Sequence, residues 1–184
     1  IIKKRLRDIY DKTYSHFGPQ HWWPGETPFE VIIGVILTQN TSWINVEKAI
    51  RNLKKDNLLD YKRMNKISEE RLAELIKPAG YYNLKARRIK NFLNFLLFSC
   101  GGDLKKIMRK DKNKLRQDLL SVNGIGPESA DSILLYAFNK PFFVVDAYTK
   151  RIFSRHGFIK EDDTYDKIQG FFMRNLNNDA RLFN

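Results

Sequence analysis

The stretch of sequence that decides the fold reads Leu119-Leu120-Ser121-Val122-Asn123-Gly124-Ile125-Gly126-Pro127-Glu128-Ser129-Ala130. Apolar residues at helical spacing lie on both sides of the two glycines, so the stretch predicts two helices joined by a tight turn. Gly124 and Gly126 allow positive φ and a close approach of another backbone, while Ile125 between them can fill the core between the helices. Pro127 suits the first turn of the second helix.

This hairpin is suited to holding phosphate. The N–H groups of its turn, together with the positive end of the second helix, can hold a phosphate group of any nucleic acid sequence. We therefore predict a hairpin that anchors DNA without reading its bases. Its residues are Asn123, Gly124, Ile125, Gly126, Glu128 and Ser129. The alternative is an ordinary pair of helices with a glycine turn, which a bare Gly-x-Gly favours by itself.

A carboxylate follows the hairpin at the start of another helix. The apolar run 143–145 precedes Asp146, and apolar residues at helical spacing follow it as far as Phe153. This pattern predicts that Asp146 is a helix N-cap, a role that aspartate has in many proteins without any catalytic function. The two roles can coexist in one side chain.

The composition favours a polyanionic partner. The 184 residues carry 33 Lys and Arg against 21 Asp and Glu, a net charge of +12. A charge of this sign attracts nucleic acid, although ribosomal and membrane-surface proteins share it. The single cysteine, Cys100, excludes an internal disulfide. No segment is long and apolar enough for a signal peptide or a membrane span, so we expect a protein of the cytoplasm and nucleoid without a membrane partner.

Helical periodicity dominates the chain and predicts an all-α fold. Thr27, Pro28 and Glu30 have the spacing of an N-cap, a first-turn proline and a capping-box partner. The apolar stretch 29–37 that follows predicts a central buried helix. The only convincing extended run, residues 141–145, is too short and isolated to build a sheet.

Several segments together resemble one family. The glycine hairpin followed by Val-Val-Asp at 144–146 resembles the helix-hairpin-helix-Gly-Pro-Asp superfamily of DNA glycosylases, whose members include endonuclease III. Residues 35–41 resemble the family's segment that enters the duplex, and residues 80–86 resemble its second DNA-facing loop. The stretch His21-Trp22-Trp23-Pro24, with Trp43, is similar to the bacterial 3-methyladenine DNA glycosylase III branch.

The resemblance implies a fold and a set of sites. It implies two α-helical lobes with the active-site cleft between them: a central domain of residues 25–136 that ends in the hairpin, and a second lobe formed by residues 1–24 and 137–184. It assigns the catalytic carboxylate to Asp146. The base pocket that it implies consists of Trp22, Trp23, Pro24 and Trp43. The DNA-intercalating residues that it implies are Gln39, Asn40 and Tyr81.

These assignments have structural alternatives. The tryptophans can belong to the core, and Gln39 and Asn40 can simply close the last turn of an apolar helix. The basic cluster formed by Lys85, Arg87, Arg88 and Lys90 is interpreted as a solvated face that also meets DNA phosphates.

The chain departs from bifunctional members of the family at one position. Those members have a lysine two residues after the second hairpin glycine, where it forms a Schiff base with the sugar, whereas this chain has Glu128. The sequence therefore predicts a monomeric, monofunctional DNA N-glycosylase of base excision repair. It would flip alkylated purines such as 3-methyladenine out of damaged double-stranded DNA and leave an abasic site. Two alternatives stay open: an endonuclease III-like glycosylase and AP lyase for oxidised pyrimidines, and a non-catalytic helix-hairpin-helix DNA-binding module.

The resemblance also bears on cofactors. Many relatives carry a four-cysteine iron–sulfur cluster after the point that corresponds to Asn184, so the single Cys100 argues against a cluster only within these 184 residues. The family's hairpin sometimes holds a monovalent cation through carbonyl oxygens. We expect no cofactor within residues 1–184, and the resemblance allows a cluster, or a further pocket residue, beyond Asn184 and a cation at the hairpin.

Overall fold

The computed structural model describes residues 1–20 and 22–184. These residues form helices and loops without a β-strand, which confirms the predicted all-α class. The α-helices are α1 (Ile2–Phe17), α2 (Pro28–Thr38), α3 (Trp43–Lys55), α4 (Tyr61–Lys66), α5 (Glu69–Leu75), α6 (Tyr82–Cys100), α7 (Leu104–Met108), α8 (Lys112–Leu120), α9 (Pro127–Ser132), α10 (Ala147–Arg155), α11 (Tyr165–Asn175) and α12 (Ala180–Phe183). A 3-10 turn, Lys77–Ala79, precedes α6, and a π-helical segment, Ile133–Ala137, continues α9. None of the described helices has the length and hydropathy needed to cross a membrane.

Helix α2 lies at the centre of the main core. Its residues 29–37 are all buried, and α3, α6 and α9 pack around it. The helix begins as predicted, because Thr27 Oγ1 accepts a hydrogen bond from the Glu30 N–H at 3.1 Å and Pro28 stands in the first turn. The predicted capping box is wrong in one detail, since the Glu30 carboxylate accepts a hydrogen bond from the Glu26 N–H, at 3.3 Å, and not from Thr27.

The two ends of the chain pack against each other. Leu6 of α1 lies in a buried cluster with Ile168 and Phe172 of α11. This cluster is separate from the main core, whose buried residues fall within 29–142. The grouping is compatible with a central lobe at 25–136, and that boundary stays a prediction.

The hairpin joins α8 to α9. The Ile125 N–H donates to the Val122 carbonyl at 3.0 Å, and the side chain of Ile125 fills the core between the helices as predicted. Gly124 has a φ of +96°, and a Cβ at this position would lie 2.3 Å from Cγ of Arg88. Gly126 has a φ of −89° and a ψ of −179°, so the prediction of a positive φ there is wrong. The space beside Gly126 is open, since no atom lies within 4 Å of where its Cβ would be.

Gly124→Ala should destabilise the fold, because it places an L-residue in the left-handed region and drives its Cβ against Arg88. We expect the free energy of unfolding to fall by about 1–3 kcal/mol, measured by urea denaturation followed by circular dichroism. Gly126→Ala is the matched control and should change that free energy by less than about 0.5 kcal/mol, because its backbone is extended and its surroundings are open. Equal stability of the two variants would show that the turn does not require a glycine at position 124.

Candidate active site

A cleft lies beside the hairpin. Its volume is about 980 Å³, and the end of α2, helix α6, the hairpin and helix α11 all contribute to its walls. All the residues that were selected from the sequence for the hairpin and the end of α2 line this cleft: Gln39, Asn40, Asn123, Gly124, Ile125, Gly126, Glu128 and Ser129. Arg88 and Tyr165 line it as well, and neither was selected from the sequence as a site residue.

Gln39 connects the end of α2 to the hairpin. Its Nε2 donates to the Gly124 carbonyl at 3.0 Å and to the Ser129 Oγ at 2.9 Å. Its Oε1 accepts a hydrogen bond from the Arg88 guanidinium. The side chain could therefore enter DNA only after these three hydrogen bonds were broken. Arg88 and Gln39 are distant in sequence from the hairpin, so only the tertiary structure shows this connection.

Asn40 and Tyr81 have the exposure that intercalation requires. Asn40 is exposed and has a φ of 52°, and Tyr81 is 71% exposed with a φ of 44°. A left-handed backbone is costly for a residue as bulky as tyrosine, and such strain is common at functional sites. Asn40 is the second of the four residues between α2 and α3, and Tyr81 is the residue directly before α6. Their role in DNA stays a prediction.

Asp146 is the N-cap of α10, as predicted. Its Oδ1 accepts a hydrogen bond from the Thr149 N–H at 2.7 Å. The residue is partly exposed, and the segment 139–146 that precedes the helix belongs to neither helix nor strand. Capping engages Oδ1 and leaves Oδ2 for another partner.

A hydrogen-bond network fixes the backbone next to Asp146. The Val145 N–H donates to the hydroxyl of Tyr165 at 3.4 Å. That hydroxyl donates to Oδ2 of Asp131 at 2.9 Å. Asp131 lies on α9 and is fully buried. The helix that begins at the hairpin is thus linked by one tyrosine to the residue before Asp146.

Two further side chains complete this network. Gln169 Nε2 donates to Oδ2 of Asp131 at 2.7 Å and to the Phe143 carbonyl at 2.8 Å. Arg116 of α8 donates to both oxygens of Asp131, at 2.7 and 3.0 Å. The Asp131 carboxylate raises the pKa of Arg116, which keeps that guanidinium charged.

Glu128 and Tyr136 share the electrostatic environment of Asp146. Glu128 stands in the first turn of α9, and reduced hydration in the cleft raises the pKa of its carboxyl. The negative charge of Asp146 raises that pKa further. Burial raises the pKa of the Tyr136 hydroxyl, and the charges of Asp146 and Glu128 add to the effect. Tyr136 was missed in the sequence because it stands in an apolar helix; its π-helical surroundings, which are frequent at functional sites, appear only in the structure.

Trp23 and Trp43 form an aromatic cluster with Tyr136. The centroid of the Trp23 ring lies 5.6 Å from that of Trp43, nearly edge to face at 83°, and 5.4 Å from that of Tyr136 at 30°. The indole N–H of Trp43 donates to Oε1 of Glu47 at 2.9 Å, which fixes the orientation of the ring. Trp23 lines the main cleft, so the cluster extends from that cleft into the protein.

The predicted pocket residues do not all meet. Trp23, Pro24 and Trp43 line a second cavity of about 270 Å³, with Trp23 on the wall of both cavities. Trp22 is 58% exposed and lines neither of these cavities. His21, which belongs to the same motif, lies outside the described residues.

The prediction that Lys85 and Lys90 lie on a solvated face is wrong. Lys85 is 1% exposed, and its Nζ donates to the carbonyls of Leu37, at 2.9 Å, and Ala79, at 2.7 Å. Lys90 Nζ donates to three carbonyls at the end of α4. Burial lowers the pKa of both amines. The reason is packing, because the face of α6 that carries these residues lies against α2, α4 and α5.

The described residues offer no site for the iron–sulfur cluster, which the resemblance allows only beyond Asn184, so that cluster stays a prediction. They include no group of three or more His, Cys, Asp or Glu that could hold a metal ion, and one cysteine cannot bind a four-cysteine cluster. At the hairpin, the carbonyls of Val122, Asn123 and Gly124 each already accept a hydrogen bond. A carbonyl oxygen has two lone pairs, so these hydrogen bonds leave each oxygen able to contact a cation, and a cation at the hairpin stays a prediction.

Sequence comparison identifies the family. Residues 33–178 match the family described as the HhH-GPD superfamily base excision DNA repair protein. The chain is 50% identical over 177 residues to MJ1434 of Methanocaldococcus jannaschii, described as a candidate DNA repair glycosylase, and the match covers 95% of this chain and 80% of that protein. Endonuclease III of Thermotoga maritima is 32% identical over 133 residues, which is 72% of this chain and 58% of that protein.

A solved structure shares the fold. The crystal structure of the 3-methyladenine DNA glycosylase MagIII of H. pylori, bound to 1,N6-ethenoadenine, superimposes with a TM-score of 0.83 and 30% identity, covering 99% of this chain and 91% of that chain. The region matched by the family contains the hairpin, the cleft residues of α2 and Asp146. The chain therefore belongs to the HhH-GPD superfamily of base excision DNA repair proteins and is a DNA glycosylase of the endonuclease III-like type, acting on N-glycosyl bonds in DNA.

Proposed function

We propose that the chain is a monofunctional glycosylase that removes alkylated purines such as 3-methyladenine from double-stranded DNA by hydrolysis. The observation that carries the proposal is the aromatic cluster of Trp23, Trp43 and Tyr136 beside the carboxyl groups of Asp146 and Glu128. The H. pylori relative, whose name gives 3-methyladenine as its base, supports the same substrate class.

The aromatic cluster suits a cationic base. A purine methylated at N3 or N7 carries a positive charge, and stacking on an indole face adds about 0.5–2 kcal/mol that a neutral base does not receive. The hydrogen bond from Trp43 to Glu47 holds one indole in place. Such a site selects the lesion by charge and shape and needs no strong general acid, because a cationic purine is already a good leaving group.

Asp146 has the chemistry that hydrolysis requires. When the N-glycosidic bond breaks, its electron pair leaves with the base and neutralises the positive charge of the methylated purine. The sugar C1′ becomes positively charged, and the carboxylate of Asp146 stabilises this charge. A water molecule then adds to C1′ and gives its proton to the carboxylate, which leaves an abasic site. Oδ2 would meet the sugar, since Oδ1 caps α10.

The lysines nearest to Asp146 in sequence bind backbone carbonyls of the protein. Glu128 stands where bifunctional relatives have the attacking lysine. Lys140 Nζ donates to the Lys110 carbonyl at 2.9 Å, and Lys150 Nζ donates to the Asp163 carbonyl at 3.2 Å. Lys85 is buried against carbonyls in the same way. We therefore infer base release without cleavage of the DNA strand.

The remaining predicted residues would engage the duplex. In this proposal the hairpin residues 123–129 bind a phosphate through backbone N–H groups, and the open space beside Gly126 lets the DNA backbone approach. Asn40 and Tyr81 enter the stack where the damaged nucleotide leaves, and Gln39 holds the loop of Asn40 against the hairpin.

Asp146→Asn should abolish base release, because it removes the charge that stabilises the sugar cation and keeps a side chain that can cap α10. We expect the single-turnover rate of methylpurine release from dimethyl sulfate-treated duplex to fall at least about 100-fold, with unchanged DNA affinity. Asp60→Asn is the matched control, since Asp60 also caps a helix, accepting from the Arg63 N–H at 2.9 Å, but its charge is not among those that raise the pKa of Glu128 or Tyr136.

The substrate panel separates the alternatives. The same assay is run on duplexes with methylated purines, with oxidised pyrimidines and without damage. Faster release of oxidised pyrimidines would identify an endonuclease III-like specificity. Release of no base would leave a DNA-binding module, and a full rate in Asp146→Asn would remove the catalytic assignment.

Borohydride should trap no covalent complex. A Schiff base needs an unprotonated amine against C1′, and a carboxylate at position 128 cannot form one. After incubation with a lesion-bearing duplex and borohydride, the protein should run unshifted on a denaturing gel. The abasic strand should stay intact until alkali is added. A strong protein–DNA adduct would contradict the monofunctional assignment.

A further inference from the structure

One buried ammonium group binds the helical segments that lead into the loops of Asn40 and Tyr81. Lys85 Nζ donates to the Leu37 carbonyl at 2.9 Å and to the Ala79 carbonyl at 2.7 Å. Leu37 lies three residues before Asn40, and Ala79 lies two residues before Tyr81. The two loops are therefore joined through a single side chain of α6.

The carbonyls that Lys85 binds stand at the ends of helical segments. Leu37 belongs to the last turn of α2, and Ala79 is the last residue of the 3-10 turn before α6. Carbonyls at helix ends lack partners within their own helix and carry the negative end of the helix dipole. A cation between two such ends is stabilised by both, and it sets the distance between them.

Lys85 is not explained by ion pairing. Within residues 1–20 and 22–184, no carboxylate lies within salt-bridge distance of its amine. Burial of a charge without a counter-ion is costly, and the positive charge of Arg88 adds to that cost. An apolar side chain would fill the same space more cheaply. An apolar side chain cannot replace the N–H donors of the ammonium group.

The same helix also connects to the hairpin. Arg88, one turn after Lys85, donates to Oε1 of Gln39, whose amide binds Gly124 and Ser129. Helix α6 thus contacts all three DNA-facing elements: the loop of Asn40, the loop of Tyr81 and, through Gln39, the hairpin.

We propose that Lys85 is a positioning residue that fixes the spacing of Asn40 and Tyr81, so that both enter the DNA stack together when the damaged base is extruded. The proposal rests on the proposed function, in which these two residues fill the space left by the flipped nucleotide. Preset spacing matters because a displacement of about 1 Å in a positioned group can cost about 100-fold in rate.

Lys85→Met tests this proposal, because methionine fills the space but donates no hydrogen bond. Lys90→Met is the matched control: Lys90 lies on the same helix and its amine also binds backbone carbonyls, but those belong to α4 and its C-cap, away from both loops. Extrusion is measured first, by the fluorescence of 2-aminopurine placed as the target nucleotide in the Asp146→Asn background. Single-turnover excision is then measured on a correctly paired lesion and on one opposite a mismatched base, where extrusion is easier.

Lys85→Met should lower extrusion and excision of the paired lesion by at least about tenfold. It should lower excision of the mispaired lesion much less. Lys90→Met should lower the excision rates of the two lesions equally or not at all. The proposal would be overturned if Lys85→Met lowered the excision rates of both lesions equally or lowered neither. It would also be overturned if Lys90→Met showed the same selective loss of excision. The extrusion measurement needs no base release, so a failure of the enzyme to excise methylpurines would refute the proposed function alone.

A second test applies if Lys85→Met does not fold at the assay temperature. Lys85 is then left unchanged, and extrusion is measured for Asn40→Ala, for Tyr81→Ala and for the double variant that combines them. If the two loops act as one preset unit, the fold-loss of extrusion in the double variant should be smaller than the product of the fold-losses in the two single variants. Independent losses that multiply would overturn the proposal.

Discussion

The buried carboxylate of Asp131 is the interaction on which the geometry of the site depends. It accepts hydrogen bonds from Arg116 of α8 and from Tyr165 and Gln169 of α11. These partners belong to helices that are distant in sequence, and two of them also hold the backbone just before Asp146. Removal of one member of a buried, charged network commonly costs about 3–5 kcal/mol, because the others are left without partners. The helix that begins at the hairpin and the helix that begins at Asp146 are thereby held in one arrangement.

In the proposed function, one part of the site holds DNA and another selects the base. The hairpin offers backbone N–H groups and an open approach at Gly126, and neither can read a sequence. In that proposal, selection comes from the aromatic cluster of Trp23, Trp43 and Tyr136, which would discriminate an extruded base by its charge and shape. Such a protein would bind undamaged DNA during its search for damage, and it would cleave an N-glycosidic bond only when the extruded base is complementary to the pocket.

The net charge of +12 overstates the positive surface that DNA can meet. Lys85, Lys90, Lys140 and Lys150 all direct their amines at backbone carbonyls of the protein. These lysines hold helix ends and loops in place, so their amines are less free to contact DNA phosphates. Burial also lowers the pKa of Lys85 and Lys90, so the charged forms of these two amines cost more free energy than those of exposed lysines.

The sequence by itself determined the features that depend on neighbours along the chain. Apolar spacing gave the helices, Thr27 and Asp146 cap them, and the turn at Ile125 takes its left-handed residue from Gly124, since each of these depends mainly on neighbours within about one helical turn. The superfamily resemblance rests on the same local motifs. Only the tertiary structure decided that Lys85 is buried and that Tyr136 stacks on Trp23. Both depend on which helix faces meet across the core, and a lysine or a tyrosine at helical spacing has the same local pattern whether its face meets solvent or another helix.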